Sequence, residues 1–357
     1  MLLLKVNGTA YSGWKSVRVT RSIEQIAGSF SLTLSEAWAE QAQAWPIEEG
    51  DPCEISLHGE IVCTGFIDSR SLSFGPGERS ISVTGRDRAG DLIDCSANLT
   101  KWEYANADVM KVATDLCQPY GVGVSKQTGL QLPHLSEKLS IDPGETVASA
   151  LTTLAKKAGV MLVSDGIGGL VLARAGTLLC QVDLVQGKNI LGGTANFDFK
   201  NRFRQYSVIG GNRGTPKVNG KNACAIKGNA FDENIRFARN LIVRAEGNVT
   251  TAQARIRAQF EATVRAARGD TVTVKVQGWK QKTKLWPINA LVKIDCQALG
   301  VKGTMLITQA VHSLDISGGK VTELTLRSPK AFLPEPTIKK DPTNNYWNFG
   351  RGKGNGV

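Results

Sequence analysis

Residues 52–95 read PCEISLHGEIVCTGFIDSRSLSFGPGERSISVTGRDRAGDLIDC, and their period decides the fold. Ile55 and Leu57 alternate with polar neighbours as far as His58-Gly59. Ile61, Cys63, Gly65 and Ile67 then share one side of a second strand, with Val62, Thr64 and Phe66 on the other. After Gly75-Pro76-Gly77, Ile81 and Val83 form a third. A period of two punctuated by Gly and Pro predicts three antiparallel strands.

Working outward, the same plan returns in residues 291–328, LVKIDCQALGVKGTMLITQAVHSLDISGGKVTELTLRS. Val292 and Ile294 alternate, a Gly-containing turn follows, and a long strand runs from Thr304 to Leu314. After Ser317-Gly318-Gly319, Val321, Leu324 and Leu326 form the last strand. Upstream, Trp14–Val19 and Ser29–Leu34 precede the first copy, and Tyr206–Ile209 and Thr271–Val276 precede the second. The second pair is separated by an insertion far longer than the usual loop of ~4–6 residues. The spacing therefore predicts a duplicated sheet unit.

Between the copies the period becomes helical. Val109, Val112, Ala113, Leu116 and Cys117 line one face of a first helix, and Pro119 to Gly121 stop it. Asp142-Pro143-Gly144-Glu145 reads as the start of a second, with Asp142 as its N-cap and Pro143 at its first position. Its buried stripe is Val147, Leu151, Leu154 and Ala158, and Gly159 ends it. Val160–Ser164 and Leu170–Arg174 form a hairpin, completing a small α+β domain. Residues 210–229, rich in Gly and Asn, read as mobile or ordered only by a partner. A basic helix over 250–267 follows, with Ile256, Phe260, Val264 and Ala267 as its apolar stripe. Asn7-Gly8 reads as a hairpin turn, and Trp38 and Trp45 as buried over the end of the first sheet.

A chain of 357 residues has room for two or three cores, and no run approaches the ~20 apolar residues of a membrane helix. The expectation is a soluble protein that does not insert into membranes. Seven cysteines without a CxxC pair read as buried thiols, and His58, His134 and His312 are too scattered for a zinc site. Nucleophile, metalloprotease, phosphate-loop and dinucleotide motifs are absent, so the chain reads as a non-enzyme without cofactor. The trio Arg86, Asp87 and Arg88 beside Gly85 reads as a structural ion-pair loop. Charge is uneven. Residues 200–357 hold 27 Lys and Arg against 10 Asp and Glu, a balance of +17, while the remainder is −6. That asymmetry predicts an acidic partner, protein or nucleic acid, for the second half. Candidate docking residues are Arg255 and Arg257 on the basic helix and Tyr346, Trp347 and Phe349 in the tail.

Several long phrases carry more than a generic pattern. YSGWKSVRVTRSIEQIAGSFSL (11–32), GEIVCTGFIDSR (59–70), ISVTGRDRAGDLIDCSA (81–97), DLCQPYGV (115–122), DPGETVASAL (142–151) and WPINALVKID (286–295) resemble the baseplate hub family of Mu-like phages. The resemblance implies a mainly β chain with an α+β insertion. Its parts are a first β-barrel domain (1–97), an α+β domain (98–175), a second barrel (176–210 and 269–330), a helix-containing insertion (211–268) and a flexible tail (331–357). It also implies a ring-shaped homotrimer at the centre of a contractile tail. Two barrels per subunit give six around a channel, joining the six-fold tail tube to the three-fold spike. Implied partners are the tail tube protein, the trimeric spike and the baseplate wedges, with DNA passing through unbound. Implied too is a virion baseplate location after synthesis and assembly in the host cytoplasm. Rival readings are a component of a phage-tail-like injection machine and a nucleic-acid-binding protein.

Overall fold

The computed structural model describes residues 2–35, 47–75, 78–135, 138–211, 225–315 and 318–336. The described residues divide into two compact units, one within 1–202 and 263–335, the other within 203–262.

The first unit is built on one 14-stranded sheet. Its first half contains β1 (Leu2–Val6), β2 (Thr9–Tyr11), β3 (Ser16–Ser22), β4 (Ser29–Ser35), β5 (Pro52–Leu57), β6 (Glu60–Gly75) and β7 (Glu78–Asp87). Asn7-Gly8 and His58-Gly59 both adopt positive φ (49° and 83°, 51° and 83°), the twist that two-residue hairpins need. The second half contains β8 (Ile190–Phe197), and the sheet of the second unit supplies the next three strands in chain order, β9 (Gln205–Gly211), β10 (Ile226–Phe231) and β11 (Asn240–Asn248). The second half then continues with β12 (Asp270–Gln277), β13 (Ala290–Cys296), β14 (Val301–Asp315) and β15 (Gly319–Arg327).

The two halves repeat one pairing scheme. In the first, β3 pairs β4, β4 pairs β7, β7 pairs β6 and β6 pairs β5, all antiparallel. In the second, β8 pairs β12, β12 pairs β15, β15 pairs β14 and β14 pairs β13, again antiparallel. The expected duplication of the meander is therefore present, with one correction. Tyr206–Ile209 does not open the second copy but pairs with β10 and β11 in a separate sheet. The opening strand is β8, ILGGTANF, whose side chains are mostly exposed and which lacks an apolar alternation for that reason.

The α+β region packs helices α1 (Gly90–Asp94), α2 (Val109–Cys117) and α3 (Val147–Ala158) on a small sheet. In that sheet Met161–Ser164 pairs antiparallel with Gly169–Ala173, which runs parallel to Gly123–Lys126. Val112, Ala113 and Leu116 of α2 meet Val147, Leu151 and Leu154 of α3 in one buried cluster. The helix α3 starts later than Asp142. Gly144 lies at φ +91°, outside the helical region, so Asp142–Glu145 forms a turn closed by Glu145 N–H donating to Asp142 O at 3.0 Å. Thr146 is the N-cap, its Oγ1 accepting from Ser149 N at 3.2 Å.

In the second unit, β10–β9–β11 form a three-stranded sheet whose cluster of Tyr206, Val208, Ile226 and Ala230 meets Ala254 and Ala258 of α4 (Thr251–Arg268). Two expectations are corrected here. Residues 226–231 are an ordered strand, because Ile226, Gly228 and Ala230 alternate inward against the helix, while 212–224 of the stretch expected to be mobile lie outside the described residues. On α4 it is Ala254 and Ala258 that pack on this sheet and Ile256 is exposed, whereas Val264 and Ala267 of the expected stripe are buried. Small residues let helix and sheet approach closely. A Cβ on Gly228 would stand 2.2 Å from the backbone nitrogen of Arg255. Gly228→Ala is therefore expected to cost about 1–3 kcal/mol by overpacking. The exposed neighbour Asn229→Ala should stay within about 0.5 kcal/mol. Urea titrations of both variants check this.

Candidate functional site: the sheet junction and its open edges

The feature that organises the first unit is the seam between the two copies. Here β14 of the second copy pairs antiparallel with β3 of the first, from Gln309↔Ser22 through His312↔Val19 to Leu314↔Val17. The Ile23 amide extends the ladder by donating to Thr308 O at 2.9 Å. Two strands far apart in sequence thus merge two sheets into one. Val17 and Val19 are buried at the seam, beside the wholly buried His312.

Polar groups lock the seam to the α+β region. The Asp87 carboxylate is buried and accepts from Gly28 N at 2.7 Å, Ser164 Oγ at 2.5 Å and Ala89 N at 3.0 Å. Burial pushes its pKa up, while these donors and Arg21 pull it back. Arg21 Nη2 donates to Asp165 O at 3.0 Å. The Thr64 amide donates to Gly166 O at 2.9 Å, so the hairpin tip 164–169 is clamped on β6. Arg86 bridges Asp68 at 2.7 Å and Asp94 at 2.6 Å. Asp87 closes no loop ion pair with its neighbours in sequence; it is the buried centre of a long-range network, and Arg86 sits on β7 rather than in a loop.

His312 Nδ1 lies 3.2 Å from Thr322 Oγ1, which itself donates to Gly278 O at 2.6 Å. The hydroxyl proton is committed to that carbonyl, so the imidazole donates from Nδ1. Burial, reinforced by the Arg21 charge, pushes its pKa down to about 3. The thiols of Cys53 and Cys117 are pushed up to about 12 by burial, which keeps them inert.

The seam has a counterpart that is incomplete. Beyond Ile67 the outer edge of β6 carries no strand among the described residues, and neither does the outer edge of β8 from Gly192 to Phe197. Both edges bear uncovered apolar side chains. Phe74 is 93% exposed, Leu72 56% and Phe197 58%. An apolar strand edge left open is a template for another chain.

Of the docking candidates read from sequence, Arg255 is exposed on α4. Arg257 is half-buried and binds Glu261 Oε1 through Nε and Nη2 at 3.0 and 2.9 Å, an i,i+4 pair on its own helix. Tyr346, Trp347 and Phe349 lie outside the described residues, as do Trp38 and Trp45. Leu72, Phe74 and Phe197 escaped the reading of the sequence. The alternation Leu72-Ser73-Phe74 was visible, but which face it leaves uncovered depends on pairing.

Comparison with known proteins gives these edges a context. Residues 1–87 match the model of the Mu phage baseplate assembly protein GpP-like N-terminal domain. Residues 89–174 match the second domain of gp44-like baseplate hub proteins, and 250–335 the fourth domain of the GpP protein. The baseplate hub protein gp44 of Escherichia phage Mu is 33% identical over 341 residues, covering 92% of this chain and 88% of gp44. The 43 kDa tail protein of prophage MuSo2 from Shewanella oneidensis is similar at TM-score 0.82 and 31% identity, over 94% of this chain and 99% of that one. A component of the Escherichia coli type VI secretion system shares the fold at TM-score 0.57 and 12% identity, over 94% of this chain and 79% of that one. Matched domain by domain and along nearly its whole length, the chain belongs to the family of Mu-type phage baseplate hub proteins.

Proposed function

We propose that three copies of this chain close into the ring at the centre of a contractile tail baseplate, joining the tail tube to a trimeric spike. The observation that carries this reading is the repeated pairing scheme with its internal seam. One chain holds two equivalent sheet units, so a three-fold ring presents six similar units to a six-fold tube. A heterologous contact that closes after three copies meets that requirement. The chain then acts by assembly rather than catalysis, in the virion baseplate, after folding in the host cytoplasm. Wedge proteins are the partners proposed for its outside, and Arg255 with the tail residues Tyr346, Trp347 and Phe349 remain the docking groups proposed for them. DNA passes the channel without specific binding.

Sedimentation equilibrium of the purified chain tests the ring. The expected mass is about three times the 38.3 kDa of one chain. A chain that remains monomeric with spike and tube proteins added overturns the reading. Its basic second half motivates one further arm. A DNA-binding protein with this charge should hold duplex DNA with an affinity that falls steeply with salt, whereas the hub is expected to show no retention at physiological salt.

A further inference from the structure

The seam inside the chain specifies a second seam between chains. By the shared pairing scheme, the first-copy equivalent of β14 is β6, and the second-copy equivalent of β3 is β8. The inner junction uses β14 and β3; β6 and β8 are the two halves left over. We propose that the outer edge of β6 in one copy pairs antiparallel with the outer edge of β8 in a neighbouring copy, in the register of the internal seam. This rests on the ring reading and says which edges close it.

The register follows from features that the two copies share. β6 shifts register between Ile67 and Ser69, and β14 between Ile307 and Gln309. Just before each shift the same bond recurs. Gly50 N donates to Ile67 O at 2.8 Å, and Asn289 N to Ile307 O at 2.9 Å. Gly50 and Asn289 both have positive φ. Ser69 therefore corresponds to Gln309, Arg70 to Ala310, Leu72 to His312 and Phe74 to Leu314. On the other strand, Val17 faces Leu32, which faces Val83, which faces Arg70. Gly193 faces Val274, which faces Leu324, which faces Ala310. Gly193 thus corresponds to Val17, Ala195 to Val19 and Phe197 to Arg21.

Transferring the seam places Arg70 opposite Phe197, Leu72 opposite Ala195 and Phe74 opposite Gly193 of the neighbour. Ser71 opposite Asn196 and Ser73 opposite Thr194 fall on the other face. The exposed apolar groups are accounted for together. Phe74, Leu72 and Phe197 share the face that Val17 and Val19 bury at the internal seam. The large Phe74 ring meets a glycine, and the amides and carbonyls of both edges, which have no strand partner among the described residues, gain one.

Paired cysteines in the full chain test the register. Leu72→Cys with Ala195→Cys, and Ser73→Cys with Thr194→Cys, sample both kinds of antiparallel site. Mild oxidation is expected to give dimers and trimers on non-reducing gels, collapsing to one band with reductant. Leu72→Cys with Thr194→Cys, whose thiols point to opposite faces, is expected to give none above the single-cysteine backgrounds. Phe74→Asp, at a position exposed in the single chain, should drop the sedimentation mass from trimer to monomer with the circular dichroism spectrum kept. A trimer that links only the off-register pair, or a Phe74→Asp variant that stays trimeric, overturns the proposal and leaves the ring reading standing. A wild-type chain that never trimerises removes both.

Discussion

Acidification is expected to destabilise the chain chiefly through one imidazole. His312 is held neutral, with a pKa pushed down to about 3 by burial and by the Arg21 charge, against 6.5 for a free imidazole. The unfolded chain therefore binds a proton that the folded chain refuses. Stability is complete above the unfolded value and is lost as pH falls from 6.5 toward 3. By pH 4.5 the loss is about 3 kcal/mol at ~1.4 kcal/mol per pH unit. His312→Leu, which installs the residue of the equivalent position in the first copy, should flatten this limb. Thr322 keeps its own bond to Gly278 O in that variant. Denaturant midpoints at pH 7.5, 5.5 and 4.5, at one fixed protein concentration, give the comparison. Equal acid slopes for wild type and variant would refute the assignment. Asp87 acts with the opposite sign. Its raised pKa means that folding is penalised as pH climbs from 3.8 through the folded value, so it cannot produce the acid loss.

The second large effect is expected at Asp87 itself. Asp87→Ala removes the acceptor shared by Gly28 N, Ala89 N and Ser164 Oγ, and takes a compensating charge from the half-buried Arg21. Breaking a buried charged network from one side costs about 3–5 kcal/mol. Ser164→Ala deletes one donor and should cost about 1–2 kcal/mol. Adding Arg21→Met to Asp87→Ala should restore part of the loss, because the stranded cation goes with it. Guanidinium unfolding of these three variants and of Arg21→Met alone decides this. Additive losses in the double mutant would mean that the two groups do not share a network. The functional consequence lies at the seam, since Arg21 sits on β3 and Asp87 ends β7, the strands that carry the first copy up to the second.

These expectations separate what was local in the sequence from what was not. Strand period and turn chemistry are local, so β5, β6 and β7 and their second-copy equivalents were legible from alternation and glycine punctuation alone. The helices α2, α3 and α4 were legible from their apolar spacing. Errors came where a local signal was weak or ambiguous. The strand β8 has exposed sides and two glycines, so it carried no alternation, and Tyr206–Ile209, which alternates well, was assigned to its place. The start of α3 was misplaced because Asp-Pro is a good cap signal, whereas the positive φ of Gly144 shows only in the backbone. Phrases along the chain sufficed to indicate the hub family.

Only the tertiary structure decided which edges are filled. Pairing of β14 with β3 joins residues nearly three hundred positions apart, and no period in either strand names its partner. The same is true of burial. His312 looked like one of three scattered histidines, and Asp87 like a surface charge, until packing placed each out of water. Nothing in the sequence singles out Phe74 and Leu72, and their meaning lies in what leaves them uncovered among the described residues. A sequence specifies the period of a strand by local sterics and side-chain alternation. Which strand lies beside it is settled by the burial of the whole chain, and in a ring by the next copy.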